Sequence, residues 1–516
     1  MIEKKIDPIT NKITFMFKII LITFWVLIST SNAITYSGKE KNNKIIYDYK
    51  KNISNQMYES IQINNSLTSF EKEFLYAILD NNYNALKNYS STYSISPNIR
   101  VENGMNPFLI ACKYNSNLEV FDILLKQGFQ ISSKDNDGND CLYFVIRYNN
   151  NMNLIKFLIE NGVDINSVNN ASENNLLVAA KYVQDINIFQ FIINSGIGIN
   201  YKNKQGYNAI VYSFENEHIS PQSLISILIK SGISINSKTV SGNNILMEAL
   251  KYNIDISFIN FLLKSGIDIN DKNYKGETAF MIAAQNTQNP EIIKYLLSIK
   301  NININDEDEN NNTALHLAIT SNQSDEIIQE ILTSKKILLN SRNNNLDTPL
   351  SLAAEHSTNV NVFRFLLNSG GNINIKNKKG FSPLMIAIIN NKNSEIIKIL
   401  INDKNILLSR KVSNGNDTIL MLASKYIDNL SLFKHIYELT KSSYNYTNQD
   451  GMNALMIAAQ YNKNPLILDF MINENKGGKK FFGKKSNNQK KALDYALSNP
   501  YLNNSSAFTK LEQLTN

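Results

Sequence analysis

DTPLSLAAEHSTNVNVFRFLLNSGGNIN, residues 347–374, decides how the whole chain is read. Thr348 can cap a helix and Pro349 suits its first turn, after which Leu350, Leu352, Ala353 and Ala354 form one small apolar face. Val362, Phe363, Leu366 and Leu367 then follow the i, i+1, i+4, i+5 spacing of a second helix, closing on Gly370 and Gly371. A 28-residue helix pair cannot bury both its faces alone. Neighbours of the same design must therefore stack on either side of it.

Working outward from Ala353, the same slot is filled by Ala111, Val145, Ala179, Ser213, Ala249, Ala283, Ala318, Ala387, Ala423 and Ala458, and less regularly by Ala496. Up to Ala458 the spacings stay between 34 and 36 residues, which is a repeat. Five residues before each anchor stands a residue whose side-chain oxygen can accept from a free N–H of the first turn. These are Asn106, Asp140, Asn174, Asn208, Asn244, Thr278, Thr313, Thr348, Ser382, Thr418 and Asn453. Asn is abundant in this chain, but Thr, Ser and Asp also occupy the column while apolar residues do not. Two positions earlier, Gly104, Gly138, Gly206, Gly242, Gly276, Gly380 and Gly451 suit a tight turn at positive φ.

The units TPLSLAA (348–354), TALHLAI (313–319), TAFMIAA (278–284) and SPLMIAI (382–388) are each followed by an L-L or I-L pair, with motifs such as SGIDIN (265–270) and NGVDIN (161–166) closing the unit. In this order they resemble ankyrin repeats, over roughly residues 69–516. The resemblance implies an all-α solenoid of stacked helix-turn-helix units with short β-hairpin-like fingers, the first helices lining its concave side. Asn-rich turns such as NSN (115–117) and NKN (391–393) replace the usual Gly-His, which lengthens the period to near 34 where the family has about 33.

The expected organisation is a signal peptide at 1–33, a flexible linker at 34–68 and an N-terminal capping helix pair at 69–100. About eleven repeats follow over 101–475, then a Lys-rich loop at 476–491 and a C-terminal capping repeat at 492–516. A solenoid grows by addition, so 516 residues need not mean several globular domains. Lys12 and Lys18 precede an apolar run from Ile19 to Ile28, and Ser31-Asn32-Ala33 offers cleavage after Ala33. The expected location is thus periplasmic or secreted, the alternative being an uncleaved N-terminal membrane anchor. Eighteen residues precede the run, long for such a signal, and Met16 is an alternative initiator to Met1.

A net charge of +7 over this length is mild and argues against a nucleic-acid partner, and the excess of Asn, Ile and Lys reads as genome composition. Cys112 and Cys141 lie in adjacent repeats but at different positions within them, so no disulfide is expected; they read as buried small residues. No metal, cofactor or catalytic residue is expected. His218, His316, His356 and His435 are scattered, and no H-E-x-x-H, Walker-type loop or G-x-S-x-G occurs.

Three features carry candidate partner-binding residues. Just after the small-residue pair of the first helix come Lys113-Tyr114, Arg147-Tyr148, Lys181-Tyr182, Lys251-Tyr252, Lys425-Tyr426 and Gln460-Tyr461. The cations read as a broken ladder, and the tyrosines as packing over the Asn-rich turns. At the finger tips Asp306 and Asp308 give one charge, Lys376, Lys378 and Lys379 the other, which suits a protein surface of mixed sign. In the loop, Lys479, Lys480, Lys484 and Lys485 surround Phe481 and Phe482. The leading expectation is a monomeric, non-enzymatic scaffold binding a protein partner. The alternative is an envelope-associated protein holding anionic membrane or polymer through residues 13–28 and the loop.

Overall fold

Cap residues establish the first turns as their chemistry requires. The computed structural model describes residues 56–515 except 63, 65, 253, 357–358, 391–392, 409–415 and 475–480. The expected signal peptide, most of the linker, residues 391–392 of the NKN turn and Lys476, Lys479 and Lys480 lie outside the described residues. Asn106 Oδ1 accepts from Leu109 N–H at 2.9 Å, Asn244 from Met247 at 2.9 Å and Asn453 from Met456 at 2.9 Å. Each such cap contributes about 1 kcal/mol. Thr313 departs from the pattern. Its hydroxyl meets His316 Nδ1 at 2.9 Å and makes no bond to the backbone of the turn.

Residues up to Asn170 and from Ala171 onward form two compact units. In the first, residues 56–62 are helical, with Met57 and Ile61 buried, so the stretch expected as linker ends in packed structure. Ser69–Leu79 pairs with Tyr83–Thr92, and Pro107–Tyr114 with Leu118–Lys126. Cys141–Phe144 runs into a π-helical turn, Val145–Asn149, before Met152–Glu160. First helices pack on first helices and second on second, because each presents apolar residues to both neighbours.

The second unit repeats the arrangement from Asn175–Tyr182 with Ile186–Asn194 through to Ala492–Ala496 with Ser506–Thr515. Ala279–Asn286, Ala314–Thr320 and Pro349–His356 lie on successive layers, with Ala283, Ala318 and Ala353 fully buried between them. All regular elements among the described residues are helices.

The fingers are turns, stacked through their backbones. Asn273 Oδ1 accepts from the N–H groups of Lys275 and Glu277, both at 2.9 Å, and Asp308 and Asn343 repeat the bond pattern one and two layers on. Successive tips join by Tyr274 N–H to Ser241 O, Glu309 N–H to Lys275 O and Asn344 N–H to Asn310 O. This close approach explains the glycine column. At Gly242, φ is +79° and an added Cβ would lie 2.7 Å from the Tyr274 nitrogen. Leu346 holds φ +59° in the same column, a conformation that branched side chains resist.

Asparagine does more than cap. In the turn between helices Asn462 is fully buried, its Nδ2 donating to Ser424 O at 2.8 Å and Ile427 O at 3.0 Å in the preceding layer. Asn499 and Asn216 make the same pair of bonds to their own preceding layers, and Asn149 does so in the first unit. After the second helix, Asn270, Asn305, Asn340 and Asn374 each bridge to the next layer, donating to one carbonyl and accepting from one N–H. The asparagines attributed above to genome composition are thus a main part of what ties layers together.

Candidate functional site

The first-helix faces hold the cations expected there, and Tyr114, Tyr148, Tyr182, Tyr426 and Tyr461 lie against cations of that row. In the first unit Lys113 Nζ sits 5.1 Å from the Tyr114 ring centre and 4.8 Å from that of Tyr148. The Arg147 guanidinium lies 5.2 Å from Tyr148 and 5.6 Å from Tyr143, whose hydroxyl also accepts a hydrogen bond from it. The π-helical turn sets this geometry, since one extra residue in the turn shifts Arg147 and Tyr148 around the helix. These side chains border a groove of about 300 Å³ that Glu102, Asp135 and Met57 also line. Burial pulls the Lys113 ammonium below its ordinary value and Arg147 adds to this, while Glu102 opposes it.

In the second unit Lys425 Nζ lies 5.1 Å from the Tyr426 ring and 4.5 Å from that of Tyr461, so it bridges two layers. Lys181 also lies over its following tyrosine, at 5.4 Å, and pairs with Glu215 of the next layer. Burial disfavours its charge, but Glu215 and Tyr182 together raise it above its ordinary value. The Tyr252 hydroxyl donates to the same Glu215 at 3.1 Å. Lys251 is held at 3.0 Å by Glu248, which is only 2% exposed. The expected ladder of cations is therefore a row of cations each set on a tyrosine ring or a carboxylate, and the tyrosines serve the cations more than the Asn-rich turns. A cation held over an aromatic face gains about 0.5–1 kcal/mol at an exposed site.

The finger candidates separate. Asp308 is 8% exposed, and both its oxygens accept hydrogen bonds that build its own turn, which corrects the expectation that it faces a partner. Asp306 is more open and pairs with Lys272 at 3.7 Å. Lys376 lends its carbonyl to Arg342, while Lys378 and Lys379 border a cavity of about 370 Å³ with Asp347, Glu355 and Phe381. Sequence reasoning missed these two carboxylates, because one follows the glycine column and the other lies in the column elsewhere held by cations.

The lysine loop differs from its expected form. Phe481 and Phe482 are 6% and 2% exposed, Phe481 stacks on Tyr444 at 5.1 Å, and Lys484 lies over Phe481. The aromatic half of the membrane-binding alternative is thereby buried within the protein. Lys485 remains exposed. Among the described residues no helix is long and apolar enough to cross a membrane.

Both cysteines are fully buried, as their column suggests, but they are neighbours. Burial pushes the Cys112 thiol well above its usual range, and a hydrogen bond with Cys141 adds to the effect. Both thiols are free, with no disulfide between them, although the packing of the Cys141 helix against that of Cys112 brings them within hydrogen-bonding reach.

His316, fully buried, links two layers. Its Nδ1 accepts from Thr313 N–H at 3.1 Å, which leaves the proton on Nε2 to donate to Asp347 O at 3.2 Å. Burial holds the ring below its ordinary pKa, with the Asp347 and Ser341 backbones opposing. The ring is thus neutral and structural.

Comparison with known families agrees with this architecture. The family model described as "Ankyrin repeats (3 copies)" matches residues 74–169, 176–273, 255–343, 323–411, 350–441 and 420–511. No curated protein matches the chain.

Proposed function

The chain belongs to the ankyrin-repeat family, whose repeats generally mediate protein–protein interaction, and on that premise we propose that it is an exported, non-enzymatic scaffold for a protein partner. The observation that carries the proposal is the set of cations fixed on aromatic rings, Lys113 and Arg147 in one unit and Lys425 in the other. A lysine free in water loses side-chain entropy when a partner immobilises it, whereas one already seated over two rings loses less. The partner contacts expected from this are acidic or carbonyl-rich, and they lie on the first-helix faces. Asp306, Lys376, Lys378 and Lys379 supply mixed-sign contacts at the finger tips.

Export rests on the sequence of residues 1–33. Compartment fractionation and N-terminal sequencing test it, with the chain expected outside the cytoplasm and beginning after Ala33. The scaffold reading is tested by immobilising the purified protein and passing envelope and secreted extracts over it. A discrete protein should be retained, and its retention should fall at least tenfold with Lys113→Glu and Arg147→Glu together. No retention above background, or retention indifferent to both substitutions, counts against the proposal.

A further inference from the structure

Position by position, the layers of the second unit satisfy most of their buried polar groups in similar ways, but among the described residues Asp347 Oδ1 in the layer of Ala353 and Gln460 Oε1 in that of Ala458 are left without a partner. In the layer of Ala283, Glu277 precedes the cap Thr278 and its carboxylate is closed off, accepting from Asn273 at 2.7 Å and from Gln285 at 3.1 Å. Two columns are used here, the residue before the cap and the second residue after the anchor alanine. In the layer of Ala353 the same columns hold Asp347 and Glu355. A carboxylate thus replaces the amide that donates two periods earlier.

Asp347 is 6% exposed, and its Oδ1 has no hydrogen-bond partner among the described residues. The rest of the residue is clamped. Its N–H donates to Asn343 Oδ1 at 3.0 Å, its carbonyl receives His316 Nε2, and Asn377 supports the carboxylate. A buried carboxylate oxygen left without a donor is destabilising, more so when ionised. Burial accordingly raises the Asp347 carboxyl above its ordinary value, and Glu355 adds to the rise. The preceding residue, Leu346, is the one leucine held in the left-handed region among the described residues, so strain is concentrated at the same place.

Both carboxylates border the cavity of about 370 Å³, whose lining also includes Phe381, Ile386 and Ile389 and the two lysines Lys378 and Lys379. An aliphatic stem fits such walls, and a positively charged nitrogen at its end meets the carboxylates. The two lysines repel a polycation, so the occupant is a single cationic side chain with acidic neighbours.

We infer that Asp347 and Glu355 form a subsite for one lysine ammonium or arginine guanidinium of the partner protein. This inference rests on the scaffold reading and specifies one contact within it. Layers carrying Asn139, Asn243 or Asn312 in the Asp347 column show that an uncharged amide is compatible with the fold. Asp347→Asn therefore keeps the protein folded.

The test uses the full-length protein and three probes, N-acetyl-lysine methylamide, N-acetyl-arginine methylamide and the neutral N-acetyl-norleucine methylamide, followed by saturation-transfer NMR. At least one cationic probe should bind saturably, and norleucine at least tenfold more weakly. Asp347→Asn should weaken the cationic probe at least tenfold with an unchanged or higher thermal midpoint. Equal binding of norleucine, or a variant binding as the parent does, overturns the subsite. If that happens while a partner is still retained on the immobilised protein, the scaffold reading stands without it. Probe binding through Asp347 with no partner retained leaves the subsite and removes the scaffold.

Discussion

Replacing Asn462 by alanine isolates what one asparagine contributes to joining two layers. The side chain is fully buried, donates to Ser424 O at 2.8 Å and Ile427 O at 3.0 Å, and accepts from Asn464 N–H at 2.9 Å. Alanine removes both donors and leaves two carbonyls of the layer below facing a small void. At about 1 kcal/mol per bond lost, with the buried carbonyls less easily resolvated than the Asn464 N–H, the substitution costs about 2–4 kcal/mol. In a stack whose layers touch only their neighbours, the loss falls on the interface between the Ile419–Tyr426 and Ala454–Tyr461 layers. Hydrogen exchange read by mass spectrometry over residues 419–427 should then show opening increased by about 30- to 1000-fold, since about 1.4 kcal/mol is tenfold. Residues 279–286, several layers away, should exchange as before. Asn473→Ala, which removes an exposed bond to Asp469, should change protection less than threefold. If Asn462→Ala behaves like Asn473→Ala, the buried asparagines are not what holds adjacent layers together.

Three further outcomes follow from the same geometry. His316 is kept neutral by burial, so its folded pKa lies below the unfolded value of about 6.5, and the unfolded chain takes up the proton first as pH falls. Stability should be indifferent to this ring above about pH 7 and decline below about 6.5, by at most about 1.4 kcal/mol per pH unit; urea titrations of the parent and His316→Gln should differ in that slope, and equal slopes would refute it. Leu346→Gly should raise stability by roughly 1 kcal/mol by relieving φ +59°, whereas Gly242→Ala should lower it by more, because its Cβ meets the Tyr274 nitrogen at 2.7 Å. Thermal midpoints moving the other way would show that the finger turns tolerate either residue. Lys425→Met should cost about 0.5–1 kcal/mol in stability through lost contact with the rings of Tyr426 and Tyr461, and a double-mutant cycle with Tyr461→Leu should show coupling of that size.

What was legible in the chain was whatever depends on near neighbours. A cap accepts from an N–H two or three residues on, so Asn106, Asn244 and Asn453 could be placed from spacing alone, and the period of the anchor alanines gave the layers. Thr313 escaped because its hydroxyl prefers a histidine ring three residues ahead, a choice that spacing does not reveal. Leu346 escaped for a related reason: the glycine column predicts a positive φ, but only the stacked tips show that the backbone keeps it when glycine is absent.

Interactions one period long were illegible for a different reason. Asn462 reaches carbonyls 35 and 38 residues back, and a linear pattern of asparagines does not say which carbonyls lack donors. The thiols of Cys112 and Cys141 met for the same reason, since different positions within a repeat become neighbours when one first helix leans on the next. The candidate site follows this rule most closely. Each cation was visible in its column, but whether it faces solvent, a ring or a carboxylate depends on the adjacent layer: Tyr148 beneath Lys113, Glu215 beside Lys181, Tyr461 beyond Lys425. Where the neighbour satisfies only part of a carboxylate, as at Asp347, one buried oxygen is left without a donor beside a cavity. In a repeat protein the layer that breaks the pattern of internal satisfaction is therefore the one to examine for a partner, and the substitution of Asp347 is the most direct test of that principle.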